Sequence, residues 1–411
     1  MNKLIDNKFI AFISQSGLER SARSIGFIAL TWFVFTFTRS VIDLAMVSMT
    51  ISVVSIISML PIGYFIDHIN RAMILSFSTI TGAFAFLGLI ISTLLFGFNI
   101  YLILIFSGIY ALGSEMNRST GNSILPDIKH KRFLPKANAI NRSLIGGSRA
   151  ISSALAGLII ISFSVLVAFF FIFSLYLLAG IISFIFIYPA LRYVKTEKPL
   201  NKKNFIKDIQ EGYSWLKKNK GLWNMTISAG IFNLFFGAFW GYMVVFTVNG
   251  LNSNSFIYGF IIAMFATGYL SGSLVAGYHP ELKNAGKIWV IIYGLFMGLS
   301  AIIIGIANNV IITIILSIII GLCMGYAGNT WITSAQNIVP SKIRGKYFSI
   351  DGFISSTGGA LSILLGALFI ILFGISRTFI IAGSLLAVSS IIYFSVKSIR
   401  NFDGSLLIEN E

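Results

Sequence analysis

Long apolar runs alternate with short polar breaks along almost the whole chain. A helix rises 1.5 Å per residue, so about 20 apolar residues cross the ~30 Å hydrocarbon core of a bilayer. The pattern predicts twelve spanning helices, at 9–38, 42–66, 73–98, 100–124, 137–163, 165–188, 222–248, 256–278, 288–306, 310–335, 347–373 and 378–396. The charge-free stretch 150–191 would make one helix of about 60 Å, twice the core. It must therefore turn, and Ser162-Phe163-Ser164 is the place. Asn308-Asn309 divides the ninth and tenth spans in the same way. The first span is the least regular, because only 25–37 is cleanly apolar; an interfacial helix ending near Arg23 is the alternative.

The longest polar segment separates two blocks of six spans. It divides the chain into an N-terminal bundle (1–190), a linker (191–221) and a C-terminal bundle (222–411). Within the linker, 208–218 has the pattern of an amphipathic helix whose apolar members are Ile209, Tyr213, Trp215 and Leu216. It reads as a tether that could lie along the membrane surface. Short repeats support the division. Asn122-Ser-Ile-Leu-Pro126 recurs as Gln336-Asn-Ile-Val-Pro340, 214 residues later, and Gly146-Gly147 recurs as Gly358-Gly359, 212 residues later. The expected fold class is all-α, a polytopic membrane protein with twelve transmembrane helices in two halves.

Composition narrows the function classes. Of 411 residues, 56% are hydrophobic and 11% charged, against about 25% charged in a soluble domain. This excludes a soluble globule, a disordered chain and a disulfide-stapled domain; the lone Cys323 forms no internal bridge. No cleavable signal is expected at the N-terminus, since Glu19, Arg20 and Arg23 interrupt its apolar stretch. The net charge of +16 would suggest nucleic acid in a soluble protein. Here 23 of the 30 Lys and Arg residues fall on the side of the termini and only Arg39 and Arg377 on the other. That is the positive-inside distribution. It puts both termini in the cytoplasm and removes the need for a nucleic-acid partner.

Ionisable residues inside spans are expensive and are candidate functional groups. The first span holds Glu19, Arg20 and Arg23, the fourth Glu115 and Arg118, the fifth Arg142 and Arg149, and the eleventh Asp351. Glu19/Arg23 and Glu115/Arg118 have i,i+4 and i,i+3 spacing, which puts each pair on one helix face. Each carboxylate lies roughly 14 Å from the nearer helix end. Burial opposes a carboxylate's charge and a nearby cation supports it, so a conformational change can load or unload a proton. A static Glu–Arg clamp is the other reading. Arg142, nearer the interface, is expected to snorkel. His68, His130 and His279 fall in loops. There is no P-loop and no Gly-x-Ser-x-Gly, so neither enzyme, cofactor nor metal site is expected.

Between the second and third spans stands Gly63-Tyr-Phe-Ile-Asp67-His68-Ile-Asn70-Arg71. It resembles the signature loop of the major facilitator transporters, matching at Gly63, Asp67 and Arg71 and departing at His68, Asn70 and Ala72. The resemblance implies two six-helix halves with a site between them, a first and fourth helix lining the cavity, and a loop that locks the cytoplasmic ends. The stretches around Pro126-Asp127, Lys136-Ala-Asn-Ala139 and Ala154-Leu-Ala-Gly157 resemble the drug:proton antiporter subgroup, which includes the macrolide efflux proteins and the enterobactin exporter. The subgroup's fifth-helix proline is absent between Gly146 and Gly157.

Two aromatic sets complete the candidates. Phe232, Phe236 and Phe239 share one face of the seventh span, with Trp240 beside it. Asn329, Trp331 and Gln336 combine rings and amides in the tenth. Such surfaces would suit an amphiphilic ligand; lipid-facing bulk is the alternative. The glycine pairs 268/272, 294/298 and 321/325 read as helix packing contacts. The expected activity is proton-driven export of a small amphiphilic compound across a prokaryotic cell membrane by a monomer, with Glu19 and Glu115 carrying protons and Arg23, Arg118, Arg149 and Asp351 supporting them. Proton-coupled uptake or metabolite exchange is the alternative within the class, and a receptor or scaffold the alternative outside it.

Overall fold

The structure, a computed structural model, describes residues 6–129, 134–191, 202–279, 281–340 and 343–405. Among these every regular element is a helix. The first block holds α1 (Asn7–Thr38), α2 (Val41–His68), α3 (Arg71–Phe96), α4 (Ile100–Ser123), α5 (Leu134–Ser162) and α6 (Val165–Leu191). Next comes a surface helix, α7 (Lys202–Lys218). The second block holds α8 (Lys220–Gly241), α9 (Ser255–Tyr278), α10 (Leu282–Ala307), α11 (Val310–Ile338), α12 (Arg344–Phe373) and α13 (Ile375–Ser395).

Among the described residues, eleven helices are long and apolar enough to cross a membrane, and α5 contributes the apolar stretch Gly146–Ser162. α1 is one continuous 32-residue helix, a span and not an interfacial helix. The turns fall where the polar breaks predict them. α5 ends at Ser162 and α6 starts at Val165 under an Ser164 cap, whose hydroxyl accepts from the Val167 amide at 3.2 Å. Asn309 caps α11 by accepting from the Ile311 and Ile312 amides, while Asn308 takes the left-handed conformation (φ 42°) that ends α10. Asn70 and Asn99 cap α3 and α4 alike. Such caps satisfy amide groups left open in the first turn.

One expectation needs correcting. α2 runs on through His68, so the signature stretch is mostly helix, and only Ile69 and Asn70 connect it to α3.

The chain separates into two compact units: 1–200 with 254–263, and 201–253 with 264–411. In the first, α1 packs on α5 and α6, and α4 packs on α2 and α3. In the second, α8 packs on α12, and α10 on α13. The α9–α11 crossing shows why glycine is required. A Cβ on Gly268 or Gly272 would collide with the Ile318 or Leu322 carbonyl, and one on Gly321 or Gly325 with Phe265 or Tyr269 backbone. Two of the predicted small-residue pairs thus face each other at backbone contact. α7 belongs to the second unit. Its Leu216 is fully buried, Tyr213 packs edge-on against Trp223 (5.5 Å), and Glu211 pairs with Lys346 at 2.7 Å.

Candidate functional site

In the first unit, α1 carries Glu19 into the interior at 1% exposure. Arg23, one turn on, approaches with its Nε 3.7 Å from a Glu19 oxygen. That is an ion pair, longer than a hydrogen bond. Neither Glu19 oxygen accepts a hydrogen bond from a described residue, and the buried Gln15 amide nitrogen one turn before it also lacks a partner. Arg20 turns the other way, donating to the Asn141 side chain (3.0 Å) and carbonyl (3.3 Å) on α5. Arg23 lies within electrostatic reach of Glu19, Tyr110, Tyr176 and Glu115, and the Tyr110 hydroxyl donates to the Arg23 carbonyl at 3.0 Å. The structure therefore pairs Glu19 with Arg23 and leaves Glu115 to Arg118.

The two carboxylates are held very differently. Glu115 accepts from Arg118 Nε and Nη2 at 2.8–3.0 Å and from the Ser119 hydroxyl at 3.0 Å. This is the forked geometry that makes arginine–carboxylate pairs strong. The Arg118 side chain is 56% exposed while Glu115 is buried. Counted along the helices now seen, Glu19 lies about 18 Å from the start of α1 and Glu115 about 12 Å from the end of α4.

The second unit places Asp351 on α12 at the level of Thr226 on α8, whose hydroxyl donates to it at 3.1 Å. Around them runs an aromatic stack. Trp289 lies 4.4 Å from Tyr293 and 5.9 Å from Trp331, and Trp331 lies 6.4 Å from Tyr347. Trp289 donates to the Ser228 hydroxyl at 2.9 Å, and the Trp331 indole N–H is buried beside the Asp351 carboxyl. Sequence reading missed Thr226, Trp289 and Tyr293. A helical-spacing search for polar residues opposite Asp351 had no way to pair positions 125 residues apart.

The predicted aromatic face splits. Phe232, Phe236 and Phe239 are buried in the packing of the second unit; Phe232 stacks on Trp289 at 6.0 Å and Phe239 on Phe379 at 4.6 Å. Trp240 is half-buried against Phe265 (4.0 Å), with its indole N–H unpartnered among the described residues. Asn329 donates to the Ser273 carbonyl at 3.1 Å, and Gln336 is exposed. Arg149 is exposed on α5. Arg71 binds both oxygens of Asp127 at 3.0–3.1 Å, tying the start of α3 to the turn after α4. The side chains of Gly63, Asp67 and Arg142 lie outside the described residues.

At the membrane edge, Asp6 caps α1 by accepting from the Phe9 amide at 2.8 Å and pairs with Lys129 at 2.7 Å. Burial pushes its carboxyl up, but the hydrogen bonds from Lys129 and the Phe9 amide outweigh that and hold it below the usual aspartate value.

Known proteins place this arrangement. Macrolide efflux protein A of Streptococcus pyogenes is 24% identical over 375 residues, covering 87% of this chain and 89% of that protein. Macrolide efflux protein A of Enterococcus faecalis is 24% identical over 307 residues, covering 72% of this chain and 91% of that one. Among solved structures, the nucleoside transporter NupG superposes with a TM-score of 0.77 at 12% identity, covering 95% of this chain and 99% of that one. The peptide transporter POT in complex with sulfate gives 0.76 at 12% identity, with 96% of each chain covered; at these identities the likeness concerns the fold. The Major Facilitator Superfamily pattern matches residues 12–362 and, in a second match, 248–401. The chain belongs to the Major Facilitator Superfamily, and is a multi-pass membrane transporter and not an enzyme.

Proposed function

We propose that this transporter exports small amphiphilic compounds in exchange for protons, from the cytoplasm of a prokaryotic cell, as a monomer with both termini inside. The observation that carries the coupling is Glu19: a buried carboxylate with no hydrogen bond to either oxygen from a described residue and with Arg23 at 3.7 Å. Moving Arg23 toward or away from it trades the charged for the neutral form. Glu115, with both oxygens hydrogen-bonded to its own arginine, is a poorer carrier and serves as an anchor. The efflux relatives support the direction of transport, and the basic asymmetry supports the orientation. Gly63, Asp67 and Arg71 form the gating stretch.

Formal charge points to the substrate class. The first-block spans hold Glu19 and Glu115 against Arg20, Arg23, Arg118, Arg142 and Arg149. This positive balance disfavours dications in a site of low dielectric, so neutral or acidic lipophilic compounds are the preferred cargo. Trp240 and Gln336 retain polar capacity to orient it.

The test is proton release. Adding neutral or acidic lipophilic compounds, with a macrolide as the basic comparison, to purified protein in lightly buffered detergent should release protons. Glu19→Gln should abolish that release and pH-gradient-driven transport, while substrate exchange survives. Absence of release in the unmodified protein sinks the reading.

A further inference from the structure

An apolar groove of about 630 Å³ opens on the first unit between the terminal-side ends of α2 and α3, with α4 as its floor. Both helices pack along α4 but barely touch each other. The α2 wall runs from Val54 to Ile69, the α3 wall is Met73 and Phe77, and the floor is Leu112 and Met116. Pro61, within α2 and on that wall, lacks the N–H that would bond the Ile57 carbonyl, which loosens the helix there. The groove's one lining hydroxyl, Ser58, is already used, donating to the Ser55 carbonyl at 3.2 Å. Among the described lining residues no other side chain offers a hydrogen-bonding group.

The rim is exposed and apolar. Ile57 is 67% exposed, and Phe65 and Phe77 are 46% and 45% exposed, on helices that cross the membrane. From Val54 to Ile69 the wall covers roughly 22 Å of helix, somewhat more than the ~15 Å of hydrocarbon in one leaflet. Its mouth is at the α2–α3 turn, on the side of the termini, where the basic residues collect.

We infer that this groove is a binding site for one acyl chain of a phospholipid from the leaflet on the side of the termini. The chain lies along α2 with its headgroup at the Ile69–Asn70 turn, and it wedges α2 from α3. The site is separate from Glu19, and although its wall runs through the gating stretch, lipid binding is read without any transport measurement.

Native mass spectrometry of the full-length, delipidated protein titrated with dioleoyl phosphatidylglycerol tests it. One lipid should bind at least about tenfold more tightly than those that follow. Oleic acid should compete for that site, and glycerol phosphate should not. Leu112→Trp fills the floor and should remove the tight lipid. Ile57→Trp, at a largely exposed position, should weaken it even if the floor variant fails to fold. Leu178→Trp, on the exposed face of α6, should leave it unchanged. Equal affinity for all lipids overturns the proposal, as does competition by glycerol phosphate or a tight lipid that survives both groove variants.

Discussion

The two units bury carboxylates by opposite means. In the first, Glu19 and Glu115 sit among arginines, and the charge is balanced inside the membrane by charge. In the second, Asp351 is met by the Thr226 hydroxyl and flanked by Tyr347 and the Trp331 indole. Both blocks share short repeats in the sequence, but their buried chemistry differs. A cation partner can move and change the proton state of its carboxylate. A hydroxyl on a neighbouring helix holds one geometry and ties α8 to α12. Under the proposed function, coupling falls to the first unit and rigidity to the second.

The largest test of that contrast is Glu19→Gln, which should lower gradient-driven transport at least about tenfold, a coupling of ~1.4 kcal/mol. Asp351→Asn should leave it within about twofold of the unmodified rate. Equal losses in both variants, measured in proteoliposomes, would erase the distinction. Next comes the tie itself. Thr226→Val strips the half-buried Asp351 carboxylate of its hydroxyl donor and should destabilise the protein by about 1 kcal/mol. Adding Asp351→Asn should restore most of that, because the charge needing a partner is gone. Chemical denaturation of the single and double variants measures this.

Glu115→Gln should have a smaller effect. Arg118 is more than half exposed and finds water when its partner becomes an amide, so the loss of stability should stay within about 1 kcal/mol and transport should persist. Loss of coupling there would promote Glu115 from anchor to carrier. The smallest effect concerns Asp6. Its folded value is depressed, so its stabilisation is present above the unfolded aspartate value near 3.9 and is lost as pH falls through the lower folded value. Hydrogen exchange in the first turn of α1 should accelerate below about pH 4, and a Lys129→Met variant should show that faster exchange already at pH 6.

The helices and their breaks were legible because membranes impose them. Apolar length sets each span, and asparagine and serine at 99, 164 and 309 mark where the next helix starts. Gly268, Gly272, Gly321 and Gly325 could be read as packing residues, though not as partners of one another. The inequality of Glu19 and Glu115 was not legible. Both have an arginine one turn away, and only the side-chain directions show that Arg118 closes on Glu115 while Arg23 stands off from Glu19. The bond from Arg20 to Asn141 joins positions 121 residues apart, which no local spacing reveals. Phe232, Phe236 and Phe239 do share a face, but periodicity gives the face and not what it meets; here it meets the other helices of its own unit.

The docking of α7 has a consequence for synthesis. Its apolar side rests on α8, made directly after it, and on α12. Lys346, the partner of Glu211, leaves the ribosome 128 residues after Lys218, the end of α7. At about 5–20 residues per second that is a wait of roughly 6–26 s. During this interval α7 has half its final support, and the nascent bilayer surface is the natural place for it to rest. The last helices to be made therefore finish the fold of the first residues of the second unit, and a chain stopped before α12 would leave that helix undocked.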